Sequence, residues 1–431
     1  MDLVSRTLMM GAAGSRNYWI STLTGSGTEN AQRIQVDSDG FPCIIGYTTS
    51  QGGGGYDLFL AKYNRDGVVQ WQRVLGGAGT DAGYDIAIDS NDNIYVIGYT
   101  ESQGAGGAEF LLVKYDTDGV LQWQRSLGSS GIELGYGLAV DSSANIYITG
   151  YTTSQGAGGY DAVIAKYNSS GGIQWQRSLG GASTDIGYSV AVDSGSNVYV
   201  VGYQYSQTYG QSELLLAKYD SSGAIQWQRG LGGTGYEFGH GIIVDPFDDI
   251  YVTGGITSQG AGDYDVLINK YSSGGGIYWQ RSLGGAGTDY SYGVGVDASS
   301  NVYVAAFTNS QGSGSNDFLI AKYNLNGVLQ WQRLLGGTTD DGAYGICVDK
   351  YQDVYVCGAS DGNIMVAKVP GNGGMTGTYG SYVYQAATLT DAATTINFYA
   401  STLTDAATTL TDAARTLTDS AATLTASRTS L

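Results

Sequence analysis

Residues 71–122 read WQRVLGGAGTDAGYDIAIDSNDNIYVIGYTESQGAGGAEFLLVKYDTDGVLQ, and the way this stretch recurs decides the fold. Its opening Trp71-Gln72-Arg73 returns at Trp123, Trp175, Trp227, Trp279 and Trp331, each 52 residues after the last. One step back from Trp71 lands on Trp19, which completes the chain's set of seven tryptophans. A fixed period of this length marks a repeat architecture and must be read before any local motif. The quoted unit holds four runs rich in β-branched and aromatic residues, at 84–89, 93–100, 110–116 and 120–127. Asp/Asn/Gly turns join them in pairs, at Asp89-Ser90-Asn91-Asp92-Asn93 and Asp116-Thr117-Asp118-Gly119. Asp and Asn suit such turns because their side chains accept from nearby backbone N–H groups. Four strands per unit, seven units and no helical periodicity predict an all-β, seven-bladed β-propeller with four-stranded blades. A single blade cannot bury both faces of its sheet, so the blades must stack in a closed ring.

The seventh unit supplies runs at 344–349, 354–358 and 364–369 and then stops at Pro370-Gly371-Asn372-Gly373-Gly374. It lacks the tryptophan strand. The N-terminal run Trp19-Ile20-Ser21-Thr22-Leu23 is the missing fourth, and pairing it into the last blade closes the ring without an open edge there. The strands of each unit are named a, b, c and d in chain order, d being the tryptophan strand. The a–b and c–d turns are tight and share one face; the b–c and d–a connections are long and share the other. Six b–c loops carry Ser-Gln, at Ser50-Gln51, Ser102-Gln103, Ser154-Gln155, Ser206-Gln207, Ser258-Gln259 and Ser310-Gln311. The seventh, Ser360-Asp361-Gly362, is shorter and should leave a notch in the rim. Both ends of the ring leave from the tight-turn face, a geometry that suits a head on a stalk.

This divides the chain into an N-terminal anchor segment (1–14), the propeller (15–369), a linker (370–387) and a tail (388–431). In the tail, Leu389, Ile396, Leu403, Leu410, Leu417, Leu424 and Leu431 stand seven residues apart. With leucine at heptad position a, Ala406 and Ala413 fall at d, the pattern of a thin coiled coil. Thr and Asp are mediocre helix formers and Ala buries little area, so a disordered low-complexity tail is the other reading. A coiled coil would make the chain a homo-oligomer through its tail.

The chain has 431 residues, 69 of them Gly and 35 Tyr, with a formal net charge of −19. Phosphate recognition needs basic surfaces, so nucleic-acid binding is not expected. The acidity keeps an aromatic-rich β protein soluble. No apolar run is long enough for a membrane span, and the opening MDLVSRTLMMGAAGS is a poor secretory signal. Cys347 and Cys357 flank the 349–353 turn and could pair in a cross-strand disulfide; free buried thiols are the plainer reading, for these two and for Cys43.

Columns that recur in every unit are weak candidates for chemistry. An acid stands ten residues after each tryptophan (Glu29, Asp81, Glu133, Asp185, Glu237, Asp289, Asp341), and a lysine recurs in each strand c (Lys62, Lys114, Lys166, Lys218, Lys270, Lys322, Lys368). Each does a job every blade needs, tying loops and strands together. The 89–93 turn resembles the start of a calcium loop but lacks the following Gly and distal Glu, so an Asx turn is the better account. His240, the only histidine, replaces a recurring tyrosine (Tyr84, Tyr136, Tyr188, Tyr292, Tyr344) and belongs to a core or channel wall. No catalytic triad, metal-ligand cluster or phosphate loop can be assembled, so no cofactor, no metal and no enzyme activity are expected. The best binding candidates are departures from the repeat. Tyr205, Gln207, Tyr209 and Gln211 in the fourth b–c loop put aromatic rings among amides, a composition suited to sugar stacking or protein contact.

The run Gly83 to Tyr99, GYDIAIDSNDNIYVIGY, resembles the bacterial beta-propeller repeats of the SBBP type, in register seven times over about residues 16–369. That resemblance implies a propeller and says little about activity. The segment Arg6-Thr7-Leu8-Met9-Met10-Gly11-Ala12-Ala13-Gly14 looks like the openings of virion structural proteins of marine tailed phages, including cyanophages. It implies a phage fibre or appendage protein located in the virion. Its partners would be other virion proteins or like chains through the termini, and a host-surface glycan or protein at the head. A bacterial surface or secreted propeller that binds glycan or protein is the alternative.

Overall fold

The computed structural model describes residues 17–104, 106–205, 211–260, 262–394, 397–400, 404–407, 411–414, 418–421 and 425–430, and beyond residue 394 the backbone alone. Seven antiparallel sheets form the blades of a ring. Blade two shows the plan, with strands Asp81–Ile88 (a), Ile94–Thr100 (b), Glu109–Tyr115 (c) and Leu121–Gly128 (d). Strand a of all seven blades lines the central channel; strand d lies towards the rim. Blade seven joins Asp341–Val348, Asp353–Ser360 and Asn363–Pro370 to the N-terminal Trp19–Thr24, with Trp19 opposite Lys368. The expected closure is therefore present.

Strand a begins three residues before the expected Tyr84 because it carries a bulge. Gly83 pairs with Gly98 and Asp85 with Ile97, leaving Tyr84 without a partner in the ladder. The same shift recurs in the other six a strands. A bulge re-aims one side chain and sharpens the local twist. Here the bulged residue is the one that contacts its counterparts across the channel.

The repeated polar columns hold blade to blade. Trp71 Nε1 donates to the Thr117 carbonyl at 3.3 Å and Arg73 Nε to the Gly119 carbonyl at 2.6 Å, both in the c–d turn of the next blade. Gly119 has φ +73°, and an added Cβ would stand 2.8 Å from the Trp71 ring, so the turn needs glycine twice over. Lys62 pairs with Asp37 at 2.9 Å and donates to the Thr117 carbonyl at 3.2 Å. The acid column caps its own d–a loop: Asp81 accepts from the Gly77 N–H at 2.8 Å and from Ser102 Oγ at 2.5 Å. That explains the serine of the Ser-Gln motif. The 89–93 segment is an Asx turn, with Asp89 accepting from the N–H groups of Asn91 and Asn93. Apolar clusters fill the gaps between neighbouring sheets, as where Ile45, Leu58 and Leu60 of blade one meet Ile86, Val96 and Leu111 of blade two.

The plainer reading of the cysteines holds, and one expectation, the coiled-coil tail, needs correction. Cys347 pairs in register with Tyr355, and Cys357 with Gly345, so the two thiols are not in the opposed position a disulfide needs. Both are free and buried, as is Cys43. The tail is not a coiled coil in its described residues. The 370–387 segment contains a hairpin, Gly377–Tyr379 with Tyr382–Ala386, whose second arm adds to strand d of blade six. The chain then runs back around the ring. Thr390–Ala393 adds to blade five, Asn397–Ala400 to blade four, Thr404–Ala407 to blade three, Thr411–Ala414 to blade two, Thr418–Ala421 to blade one and Thr425–Ser430 to blade seven. Every blade thus gains a fifth strand, and the end of the ring folds onto the rim instead of leaving as a stalk. Of the heptad positions, Leu389 is described and buried; Ile396, Leu403, Leu410, Leu417 and Leu424 lie outside the described residues.

The notch expected at blade seven is a cavity of about 200 Å³, lined by Thr22, Thr338, Ser360, Asp361 and Tyr382. The tail hairpin stands beside it, with the Tyr382 and Ser360 hydroxyls 3.1 Å apart.

Candidate functional site: an aromatic funnel

The bulge residues of strand a form a ring across the channel: Tyr84, Tyr136, Tyr188, His240, Tyr292 and Tyr344 from blades two to seven. Neighbouring ring centroids are 5.1, 5.4, 4.2, 5.0 and 5.2 Å apart in that order, the range of offset and edge-to-face contact. Gln32 takes the position in blade one, where its Nε2 donates to Asn30 Oδ1 at 3.0 Å. This ring floors a funnel that opens towards the long loops.

Behind the floor lies a chamber of about 260 Å³. Its one close charge pair is Arg33 with Asp85, at 3.8 Å. Arg33 also donates to the Tyr344 carbonyl of blade seven at 2.8 Å, and Asp85 accepts from the Leu138 N–H of blade three at 2.8 Å. The pair therefore spans four blades around the closure. Burial pushes the Asp85 carboxyl up to about 6, against the pull of Arg33.

Above the floor stand Tyr47, Tyr99, Tyr151, Tyr203 and Phe307 from strand b. Tyr84 lies 6.0 Å from Tyr99, and Tyr188 lies 5.8 Å from Tyr203. Blade five breaks the row with Gly255, and the Tyr290 ring of blade six occupies the space a Cβ there would need. Tyr290 in turn reaches His240, its hydroxyl 2.7 Å from Nε2. Burial, with Arg33 adding to it, pushes His240 down to about 3, so the imidazole is neutral near pH 7. It is a packing and hydrogen-bonding member of the wall and a poor base.

At the mouth are Tyr56, Tyr160 and Tyr236, exposed to 40, 38 and 44 %, and the half-buried Tyr264. Phe238 joins the levels, 5.2 Å from Tyr203, 6.3 Å from Tyr236 and 6.3 Å from Tyr264. The wall formed by blades four to six is therefore the most aromatic. On blade seven the matching positions are Asp340, Gly342 and Ala359, beside the shortened loop with Asp361. One side of the funnel offers ring faces and the other small residues and carboxylates. Such a surface can hold a ligand with apolar faces and hydrogen-bonding edges. No group of acids, histidine and cysteines able to hold a metal ion occurs among the described residues.

Of the residues singled out in the fourth loop, Tyr205 is exposed at the end of strand b, two residues beyond Tyr203 and so on the same sheet face. Gln211 is half-buried at the far side of the loop. Gln207 and Tyr209 lie outside the described residues. The sequence reading missed Tyr236, Phe238, Tyr264 and Tyr290. Their signal was available in the columns: Tyr236 stands where other units have Thr28, Thr80, Thr184 and Thr288, and Gly255 stands where they have Tyr or Phe.

A ring of repeated four-stranded blades with an aromatic channel mouth defines a β-propeller repeat protein. The Beta-propeller repeat family model (SBBP) matches residues 70–104, 122–156 and 174–203. An uncharacterized WD repeat-containing protein of Acanthamoeba polyphaga mimivirus is 22% identical over 364 residues, a match covering 58% of this chain and 26% of that protein. The chain thus corresponds to about a quarter of that relative. Among solved structures, the WD40 propeller domain of Doa1 superposes with a TM-score of 0.52 at 10% identity, covering 81% of this chain and 96% of that one. A glucose dehydrogenase gives 0.42 at 11% identity, covering 81% and 98%. At these identities the likeness is one of fold alone.

Proposed function

We propose that this chain is a non-enzymatic structural or appendage protein of a phage virion, whose propeller is a host-contact or protein-interaction head. The observation that carries the binding role is the asymmetric aromatic funnel on the long-loop face. The sevenfold acid and lysine columns are engaged in holding the ring together, which leaves the aromatic departures of blades four to six as the distinctive surface. Support for the virion setting is the phage-like opening at Arg6–Gly14 and, more distantly, the viral relative. A bacterial surface or secreted propeller with the same funnel is the second reading, favoured by the same rings.

The test is binding of the fluorescently labelled full chain to bacterial cells and to a glycan and peptide array. Tyr236→Ala with Tyr264→Ala should weaken binding about fivefold or more, the loss of two ring contacts of about 0.5–1.5 kcal/mol each, while the melting curve stays put. Unchanged binding by a folded double variant would remove the funnel from the function. Peptides of the chain in purified phage particles would separate the virion setting from the bacterial one.

A further inference from the structure

The edge of a sheet is a row of unpaired backbone groups, and in most propellers each blade leaves one at the rim. Here the tail covers all seven. The manner of its docking points to recognition as well as cover.

At blade six, two glutamines from different repeat columns grip the tail. Gln332, the glutamine of Trp-Gln-Arg, accepts from the Leu389 N–H at 3.2 Å and donates to the Leu389 carbonyl at 2.9 Å. Gln311, the glutamine of Ser-Gln, accepts from the Thr388 N–H at 2.9 Å and donates to Thr388 Oγ1 at 2.8 Å. Between them the Leu389 side chain is buried against Leu283 and Leu334, at the junction of blades five and six. One blade on, Gln280 accepts from Thr394 Oγ1 at 3.1 Å, and its carbonyl accepts from the Thr394 N–H at 3.3 Å. The Gln332 carbonyl does the same for Ala387 at 3.3 Å.

Blades one to six carry both glutamine columns in sequence, and blade seven, with Ile20 at one position and a b–c loop cut short after Asp361, carries neither. The tail carries six heptad units beginning at Leu389, Ile396, Leu403, Leu410, Leu417 and Leu424. The register agrees in detail. Four consecutive residues of each of the first five units lie opposite the Arg-x-Leu-Gly of strand d, with Ala407, Ala414 and Ala421 opposite Arg177, Arg125 and Arg73. The variable x residue is Val74, Ser126, Ser178, Gly230, Ser282 or Leu334. Its one glycine, Gly230, lies opposite Tyr399, where other tail units put Ala392, Ala406, Ala413 and Ser420. Directly opposed residues share a sheet face, so the smallest ring residue faces the largest tail residue.

We infer that the rim is a repeating peptide-binding site, with a two-glutamine subsite on blade six and counterparts on blades one, two, three and five. Its ligand is an extended segment with a large apolar residue at every seventh position, followed in four of the six units by Thr-Asp-Ala-Ala or Thr-Asp-Ser-Ala. The chain's own tail is that ligand, bound by strand addition. This is independent of the funnel's role, which lies on another surface.

The experiment is hydrogen exchange of the full chain read by mass spectrometry. Tail amides at 390–393, 404–407 and 411–414 should be protected relative to a free peptide spanning residues 388–431. Gln280→Ala with Gln332→Ala should speed exchange at 390–393 roughly tenfold, as expected for losing more than one hydrogen bond, and leave the inner strands unchanged. Gly230→Val should release 397–400, and adding Tyr399→Ala should restore its protection. A tail that exchanges like the free peptide overturns the inference. So does a protected tail that ignores the glutamines and shows no rescue at Gly230, because cover without recognition predicts that pattern.

Discussion

A single residue in this ring usually answers to the next blade as much as to its own. Gly119 shows it: the c–d turn needs its positive φ, and the Trp71 ring lies against the face where a Cβ would go. Gly119→Ala should destabilise the protein by about 1–3 kcal/mol, read as a shift in the urea midpoint, with Asp118→Ala as a control for the turn alone. Asp85 carries a pH dependence. Its carboxyl is raised from the ordinary 3.8 to about 6, so the folded state holds the proton more tightly than the unfolded chain. Its stabilising contribution is fully present below pH 3.8 and is lost as pH rises through 6, at most about 3 kcal/mol at 1.36 kcal/mol per unit. Asp85→Asn should flatten that part of the fall between pH 4 and 7, measured as urea midpoints against pH beside the parent. The roles of the Trp, Arg, Lys and acid columns were legible in the sequence, because sevenfold recurrence implies a sevenfold task. The pairing of Arg33 with Asp85 was not. These residues stand at equivalent positions in consecutive blades, and their opposite charges gain meaning only once the bulge turns both towards the channel.

Among the elements, strand d of blade seven differs from its six counterparts in how far it is covered. The added tail strand runs over six residues and reaches Ser430 opposite Trp19, whereas in blade one the described strand ends at Ala421 opposite Arg73. Trp19 is accordingly wholly buried and Trp71 half-buried. Trp19→Ala should cost about 3–5 kcal/mol and Trp71→Ala clearly less, a difference that thermal melts of the two variants would show. The tail's strands were not read from the sequence for a physical reason. Seven is close to two helical turns, so a seven-residue apolar repeat reads as a coiled coil when taken alone. It is odd, so it cannot continue along one strand with the same face inward. Here successive units add to successive blades, one heptad to each. The β-branched threonines suit the extended form, but the partner edges that select it lie elsewhere in the sequence.

For the molecule as a whole, closure rests on both ends of the chain at one blade. Trp19–Thr24 lies between Asn363–Pro370 and Thr425–Ser430, antiparallel to each. The first residues of the N-terminal strand therefore lie beside the last of the tail, with Trp19 opposite Ser430. A load pulling these two ends apart meets the ladder one hydrogen bond at a time, in peeling and not in shear. Once that blade lets go, the same pull would travel around the rim and free the tail a heptad at a time. A single molecule held by its ends in an optical trap should lengthen in repeated increments of about 24 Å, seven residues at about 3.4 Å each, before the ring itself yields. The rim would then act as a graded tether that lengthens under tension while the funnel keeps its shape.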